Sequence, residues 1–177
     1  MKVLVTVASK HGATAQIGEV IADTLRNAGL PVATRQPEEV TSVDEYDAVV
    51  FGSAVYAGRW LAQARSFSQR FATELASRPT WVFSSGPLGD PALPEGDASE
   101  PIAIARRLAA RDRRSFAGRL ERAKLGLFER AMVAAVKAPD GDFREFNEIR
   151  RWADDIALTL LAEGANRDPQ HSALPSR

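Results

Sequence analysis

Short apolar runs alternate with longer stretches of helical periodicity along this chain. Four runs have the β-branched and aromatic content of buried strands, and a weaker fifth follows them; they are Val3–Val7, Val32–Thr34, Ala48–Phe51, Trp81–Phe83 and Ser115–Leu120. Between the runs, apolar spacing predicts helices over Ala13–Ala28, Leu61–Ala76, Pro101–Ala110 and Arg144–Ala162. Because a parallel neighbour is reached only through a crossover, this alternation predicts a doubly wound α/β fold.

The end of the chain departs from this pattern. Residues 126–138 are apolar and compatible with a helix, whereas residues 164–177 contain two prolines and few apolar side chains. We therefore predict one domain over residues 1–163 and a disordered tail over residues 164–177. Cysteine is absent and no apolar run approaches the roughly 18 residues of a membrane span, so we expect a cytoplasmic protein.

The formal net charge is zero, but the charges are unevenly distributed. Residues 1–100 carry 8 basic and 12 acidic groups, whereas residues 101–151 carry 13 and 7. A solvated helix face explains such an excess most simply; the alternatives are a surface for anions or membranes and a nucleic-acid surface. Because no aromatic interleaving or nucleic-acid motif accompanies the basic residues, we expect no nucleic-acid binding. Residues 105–138 are the candidate for peripheral membrane contact.

The connection between the first strand and the first helix has the composition of a phosphate loop. It reads SKHGAT over Ser9–Thr14. A helix start offers unpaired N–H groups and a positive dipole end, Gly12 permits a close approach, and hydroxyl and cationic side chains add donors. Neither GxxxxGK[ST] nor GxGxxG is present, so the pattern favours a monophosphate. The alternative is that Ser9 and Thr14 only cap the helix.

Two further loops of small residues follow neighbouring strands. The third strand leads into GSAVYAGRW and the fourth into SSGPLGD. Carboxyl ends of parallel strands meet at one edge, so these loops are expected to converge on the phosphate loop and to suit a flat aromatic ligand. Tyr56 and Trp60 are candidate faces for that ligand, with core packing as the alternative for each. Asp90 is either a charge beside the ligand or a loop-capping aspartate.

These three loops, in this order, resemble those of the flavodoxin-like family. The family's first loop is T-x-T-G-x-T, and here S-K-H-G-A-T keeps the first hydroxyl, the glycine and the last threonine, with His11 at the middle position. The resemblance implies a three-layer sandwich around a five-stranded parallel sheet of order 2-1-3-4-5, with flavin mononucleotide (FMN) bound at the loops. The implied cofactor-binding residues are Ser9, Lys10, His11, Gly12, Ala13, Thr14, Ser53, Ala54, Val55, Tyr56, Ala57, Gly58, Trp60, Ser84, Ser85, Gly86, Pro87, Leu88, Gly89 and Asp90.

Within that family, Lys10 and His11 look like the charged pair of the bacterial menaquinone-dependent protoporphyrinogen oxidases, and the likeness extends over about residues 1–160. It implies an oxidoreductase that passes electrons from an organic reductant to a quinone-like acceptor, with the redox chemistry supplied by the flavin. Neither a dedicated acid–base side chain nor a metal-binding set stands out in the sequence. Two alternatives stay open: an electron carrier between redox proteins, and a binding module that has lost flavin.

Overall fold

A computed structural model describes residues 1–56, 58–86, 100–120 and 141–167. Strands and helices alternate in these ranges, as the apolar pattern predicts. The strands are β1 (Val3–Ala8), β2 (Val32–Arg35), β3 (Ala48–Tyr56), β4 (Arg59–Trp60), β5 (Thr80–Ser85), β6 (Asp112–Phe116), β7 (Arg119–Leu120) and β8 (Gly141–Asp142). The helices are α1 (Ala13–Asn27), α2 (Ala62–Arg70), α3 (Ala72–Ala76), α4 (Glu100–Arg107) and α5 (Phe146–Arg167).

The central sheet has the predicted topology. Its parallel strands lie in the order β2-β1-β3-β5-β6, which is 2-1-3-4-5 when the parallel strands alone are counted. The short strand β4 pairs antiparallel with the end of β3, and β7 and β8 form a separate antiparallel ribbon. The flavodoxin-like α/β architecture expected from the sequence is confirmed.

Two hydrophobic clusters cover the two faces of the sheet and complete the three layers. Alternate side chains of β1 point to opposite faces, as a strand requires, so Val3 and Val5 join one cluster while Leu4 joins the other. The first cluster packs α1 and α5 on the sheet, with Ile17 and Trp152 buried between them; the second packs α2, α3 and α4.

Several element boundaries differ from the predicted ones. The third strand continues through small residues to Tyr56, because Gly52 pairs with β1 on one side and with β5 on the other. The fourth likewise continues to Ser85. The helix predicted over Leu61–Ala76 is divided at Phe71, whose backbone leaves the helical region at φ −113° and ψ 24°. The fifth predicted strand is two strands, β6 and β7.

The last helix runs past the boundary predicted at residue 163. Helix α5 begins at Phe146 rather than Arg144 and continues to Arg167. The predicted tail beyond it and the apolar segment over residues 126–138 lie outside the described residues. Of the helices in the described part of the chain, none combines the length and apolar character that crossing a membrane would require.

Candidate functional site

The carboxyl ends of β1, β3 and β5 lie side by side at one edge of the sheet. Ala8 pairs with Ser53, and Ala54 pairs with Ser85, so the segments that follow these strands start from adjacent positions. We call the described residues Ser9–Thr14, Ser53–Tyr56, Gly58–Trp60 and Ser84–Gly86 the loop cluster. Five residues predicted to bind the cofactor, Ala57, Pro87, Leu88, Gly89 and Asp90, lie outside the described residues.

The first segment of the loop cluster is arranged to bind an anion. Gly12 precedes α1 in the left-handed region at φ 84°, and its amide donates to Ser9 Oγ at 3.1 Å. The first bond of the helical ladder runs from Gln16 N to Gly12 O at 3.0 Å, so the amides of Ala13 and Thr14 lie ahead of the ladder at the positive end of the helix dipole. A Cβ built on Gly12 meets no heavy atom within 4 Å. There is therefore open space beside these amides.

Tyr56, at the end of β3, contacts the first segment. Its ring lies 6.5 Å from the His11 ring, centroid to centroid, with an interplanar angle of 67°. The ammonium of Lys10 lies 5.8 Å from the Tyr56 centroid, within reach of a cation–π interaction. Tyr56 is half-buried. The predicted phosphate loop and the predicted aromatic residue are therefore brought together.

Trp60 lies in the core beneath the loop cluster. It is 2% exposed, its indole N–H donates to Ser84 Oγ at 3.0 Å, and its ring meets Phe51 edge-to-face with a centroid distance of 4.9 Å. The expectation that this ring covers a face of the ligand is not met, because the pairing of β4 with β3 turns the indole into the second hydrophobic cluster. Ser84 is correspondingly a support for Trp60.

The remaining predicted hydroxyl residues are buried, and Ser53 is also hydrogen-bonded within the protein. Ser53 Oγ donates to Ala54 O at 2.9 Å and accepts from Leu61 N at 3.1 Å, which fixes the start of α2. Thr14 is 3% exposed and Ser85 is 5% exposed. These side chains are therefore placed to shape the backbone of the loop cluster, and the groups that it presents at the helix start are chiefly amides.

The third segment leaves the extended backbone of β5 at Gly86. This glycine has φ 94°, and its amide donates to Phe116 O at 3.0 Å on the neighbouring strand β6. Its position beside Val55 is close: an added Cβ would lie 3.5 Å from the Val55 carbonyl oxygen. The turn therefore brings the end of β5 against the end of β3, as the convergence of the loops requires.

Two charged residues near the loop cluster were missed by the sequence analysis. Glu100 Oε2 accepts from Trp60 N at 2.8 Å and forms an ion pair with Arg59 at 3.5 Å, which holds β4 in place. Arg144 reaches the first turn of α1, where its guanidinium donates to Ala13 O at 3.0 Å. Both contacts span 40 or more residues, so no local pattern could have indicated them.

Asp142 is held in its ionised form by Arg144. The guanidinium donates to both carboxylate oxygens, and these hydrogen bonds, supported by a further bond from the Arg144 backbone N–H, place the pKa of Asp142 below its ordinary value. The ion pair lies where the β7–β8 ribbon leads into α5, beside the start of α1.

Similar structures agree with this architecture. A flavodoxin from the domain Archaea is 17% identical, covers 90% of this chain and 99% of its own, and gives a TM-score of 0.60. A flavodoxin of Streptococcus pneumoniae TIGR4 is 18% identical, with coverage of 90% and 99% and a TM-score of 0.59. The rubredoxin oxygen:oxidoreductase of Desulfovibrio gigas is 16% identical, with 93% of this chain aligned to 37% of that one and a TM-score of 0.62. No curated protein matches the chain.

The sequence itself matches a family profile, and this match identifies the family. A family profile described as flavodoxin domain matches residues 4–147, which is well over half of the chain. It implies FMN as the cofactor, in agreement with the sequence prediction. The residues present fit that group, because the open space at Gly12 adjoins unpaired amides suited to a phosphate, and Tyr56 offers a half-buried ring nearby. This chain belongs to the flavodoxin domain family.

Proposed function

We propose that this protein is an FMN-dependent oxidoreductase that passes electrons from an organic reductant to a quinone-like acceptor. The observation that carries the proposal is the sign of the charges at the loop cluster. Among its described residues, the charged side chains are Lys10 and Arg59, and both are cations. The Arg59 side chain is 67% exposed and sits opposite Tyr56 in the β3–β4 pairing.

A cationic surface favours a small electron acceptor over a basic redox protein. Reducing a quinone places negative charge on its oxygens before protons arrive, and a nearby cation stabilises that charge. A carrier that meets basic partner proteins would need acidic side chains at the same place. Glu100 is the acidic neighbour in the described residues; it is bonded to Trp60 N, and its ion pair with Arg59 offsets one of the two cations, so the balance of charge at this place stays positive through Lys10.

Different groups of the chain bind the phosphate and the ring system of FMN. The amides at the start of α1 bind the phosphate, with Lys10 adding positive charge. Tyr56 packs against the ring system, and Ser53 and Ser84 fix the backbone beneath it through their internal hydrogen bonds. Bound FMN supplies the redox chemistry.

A second candidate is a binding module without flavin, which is favoured by the contacts of Tyr56. Its ring already interacts with Lys10 and His11 from the first segment, so the protein's own side chains occupy part of the surroundings of that ring. Absorbance separates the two candidates. Protein that is yellow as purified, or that keeps flavin absorbance after added FMN has been removed by desalting, excludes the module; protein that retains no FMN refutes the oxidoreductase.

The acceptor is tested in a single half-reaction. Protein loaded with FMN is reduced by one equivalent of dithionite without oxygen, mixed with menadione, and followed by the return of the oxidised flavin absorbance. We expect reoxidation without any partner protein. Replacing Arg59 by Gln should slow it about threefold to tenfold, as expected for one cation close to the acceptor.

Arg26→Gln is the matched control. This arginine is also exposed and ion-paired, with Asp23, but it lies at the other end of α1. Equal slowing by both variants would mean that net charge alone matters. Reoxidation that needs a second redox protein would identify an electron carrier instead.

A further inference from the structure

Arg144 is a buried cation that the proposed chemistry does not use. Its side chain is 2% exposed. The guanidinium forms a forked ion pair with Asp142, with Nε at 2.7 Å from Oδ1 and Nη2 at 2.5 Å from Oδ2. The third nitrogen, Nη1, donates to Gln16 Oε1 at 2.7 Å and to Ala13 O at 3.0 Å, while the Phe146 ring centroid lies 4.9 Å from the guanidinium carbon.

The bond to Ala13 O acts on a specific peptide unit. The carbonyl of Ala13 and the amide of Thr14 belong to the same planar trans peptide, so the two groups point in opposite directions. Ala13 is the first residue of α1, so its carbonyl already belongs to the helix, and the bond from Arg144 adds a second restraint. Holding the carbonyl also holds the direction of the Thr14 N–H, one of the amides ahead of the first helical hydrogen bond. A charged donor on the carbonyl also polarises the peptide and makes its N–H a better donor.

The arginine is itself held in place from the opposite side. Phe143 N donates to Gly118 O at 3.2 Å, and the β7–β8 pairing fixes Asp142 opposite Arg119. An added Cβ on Gly118 would lie 3.4 Å from Gly86 N, so the residue that leads into this ribbon lies beside the third segment of the loop cluster. Arg144 therefore connects the β7–β8 ribbon, which these contacts hold in place, to the first turn of α1.

We propose that Arg144 is a positioning residue for the cofactor phosphate, acting through the Ala13–Thr14 peptide. The inference rests on the proposed function, in which FMN supplies that phosphate. The role is one of orientation, because Asp142 neutralises the charge of Arg144 and the pair adds no net charge to the site. Lysine cannot replace it, since a single ammonium lacks the fork that bonds Asp142 and Ala13 together.

The test compares two ligands that differ by the phosphate alone. Dissociation constants for FMN and riboflavin are measured by quenching of flavin fluorescence, and their ratio reports the contribution of the phosphate. Loss of fold weakens both ligands, whereas loss of positioning weakens FMN alone. For Arg144→Gln and Arg144→Lys we expect the preference for FMN over riboflavin to fall at least tenfold, with riboflavin affinity changed less than threefold.

Arg150→Gln is the matched control, because Arg150 is an exposed arginine on α5 that bonds Asn147. It should leave the preference unchanged. If the Arg144 variants do not fold, Gln16→Ala removes one acceptor of the same guanidinium at an exposed position, and the preference should fall about threefold.

Three results separate the possible failures. An unchanged preference in a folded Arg144→Gln variant, or in Gln16→Ala where that variant is needed, overturns the inference and leaves the proposed function standing. Equal weakening of both ligands assigns Arg144 a purely structural role and also overturns it. Wild-type protein that binds neither flavin refutes the proposed function, and the inference with it.

Discussion

Replacing Gly12 by alanine should weaken FMN binding without unfolding the protein. Gly12 has φ 84°, and an added Cβ meets no heavy atom within 4 Å, so the methyl group would enter the open space beside the amides of the first helix turn. A non-glycine residue in this backbone region costs about 1–2 kcal/mol. Loss of one hydrogen bond to a charged group costs about 1.5–3 kcal/mol. We therefore expect FMN affinity to fall at least about tenfold, which corresponds to roughly 1.4 kcal/mol.

Gly29→Ala is the control that separates the cost of backbone strain from the cost of the hydrogen bond lost to the phosphate. Gly29 lies beyond the other end of α1, has φ 91°, and likewise has nothing within 4 Å of an added Cβ. Both variants should therefore lower the free energy of unfolding by a similar amount, measured by urea denaturation of the protein without cofactor. Titration with FMN should then show weaker binding for Gly12→Ala and binding within about twofold of wild type for Gly29→Ala.

Riboflavin gives a second check on the same pair of variants. Because it lacks the phosphate, its affinity should be nearly the same in Gly12→Ala as in wild type. The reasoning is refuted if Gly12→Ala binds FMN as tightly as wild type, or if Gly29→Ala weakens FMN equally. The bulkier Gly12→Val should abolish retention of the cofactor through purification.

Three further predictions concern other residues. Tyr56→Ala should leave FMN binding detectable but shift the flavin midpoint potential, measured by anaerobic dye titration; an unchanged potential would remove Tyr56 from the site. Gly52→Ala should destabilise the protein by about 1–3 kcal/mol in urea denaturation, since its Cβ would lie 2.2 Å from the Phe83 ring. Asp142→Asn should lower the urea midpoint above pH 5 and flatten its fall below about pH 4, because Arg144 lowers the pKa of that carboxyl in the folded state.

The last two predictions have their own controls. Gly164→Ala in α5 meets only Met1 side-chain atoms, at 3.7 Å and beyond, and should be neutral or stabilising, so equal destabilisation by Gly52→Ala and Gly164→Ala would contradict the packing argument. For Asp142 the sign follows from the lowered pKa: the stabilisation is present above the unfolded value of about 3.9 and is lost as pH falls through the lower folded value. Identical pH profiles of wild type and Asp142→Asn would refute the contribution.

The parts of the fold that local patterns determine could be predicted from the sequence. β1 and α1 are nearly as predicted, because an apolar run and a strong helical period are bounded by the Gly12 turn and by the Gly29–Pro31 stop. The prediction of a phosphate loop over Ser9–Thr14 rests on those boundaries.

What the sequence could not show depends on pairing between distant segments. The run from Gly52 to Tyr56 looks like a loop by composition, yet it is strand because β1 and β5 pair with its first part and β4 pairs with its end. Trp60 follows small loop-forming residues, which is typical of an exposed binding-site aromatic. Its ring is buried in the second hydrophobic cluster because β4 pairs with β3, and a local pattern does not show that pairing. The bond from Arg144 to Ala13 joins residues 131 positions apart.

The packing of α1 against α5 has a consequence for synthesis of the chain on the ribosome. Ile17 and Ile21, near the start of the sequence, share one buried cluster with Ile149, Trp152 and Ile156. A nascent chain can form β1 and begin α1 early. The apolar side of α1 remains exposed to water until α5 has left the exit tunnel. Bringing α1 and α5 together closes a long loop of chain, and the entropic cost of that closure can be met only late in synthesis. Stalled or shortened nascent chains should therefore attract chaperones through the α1 face.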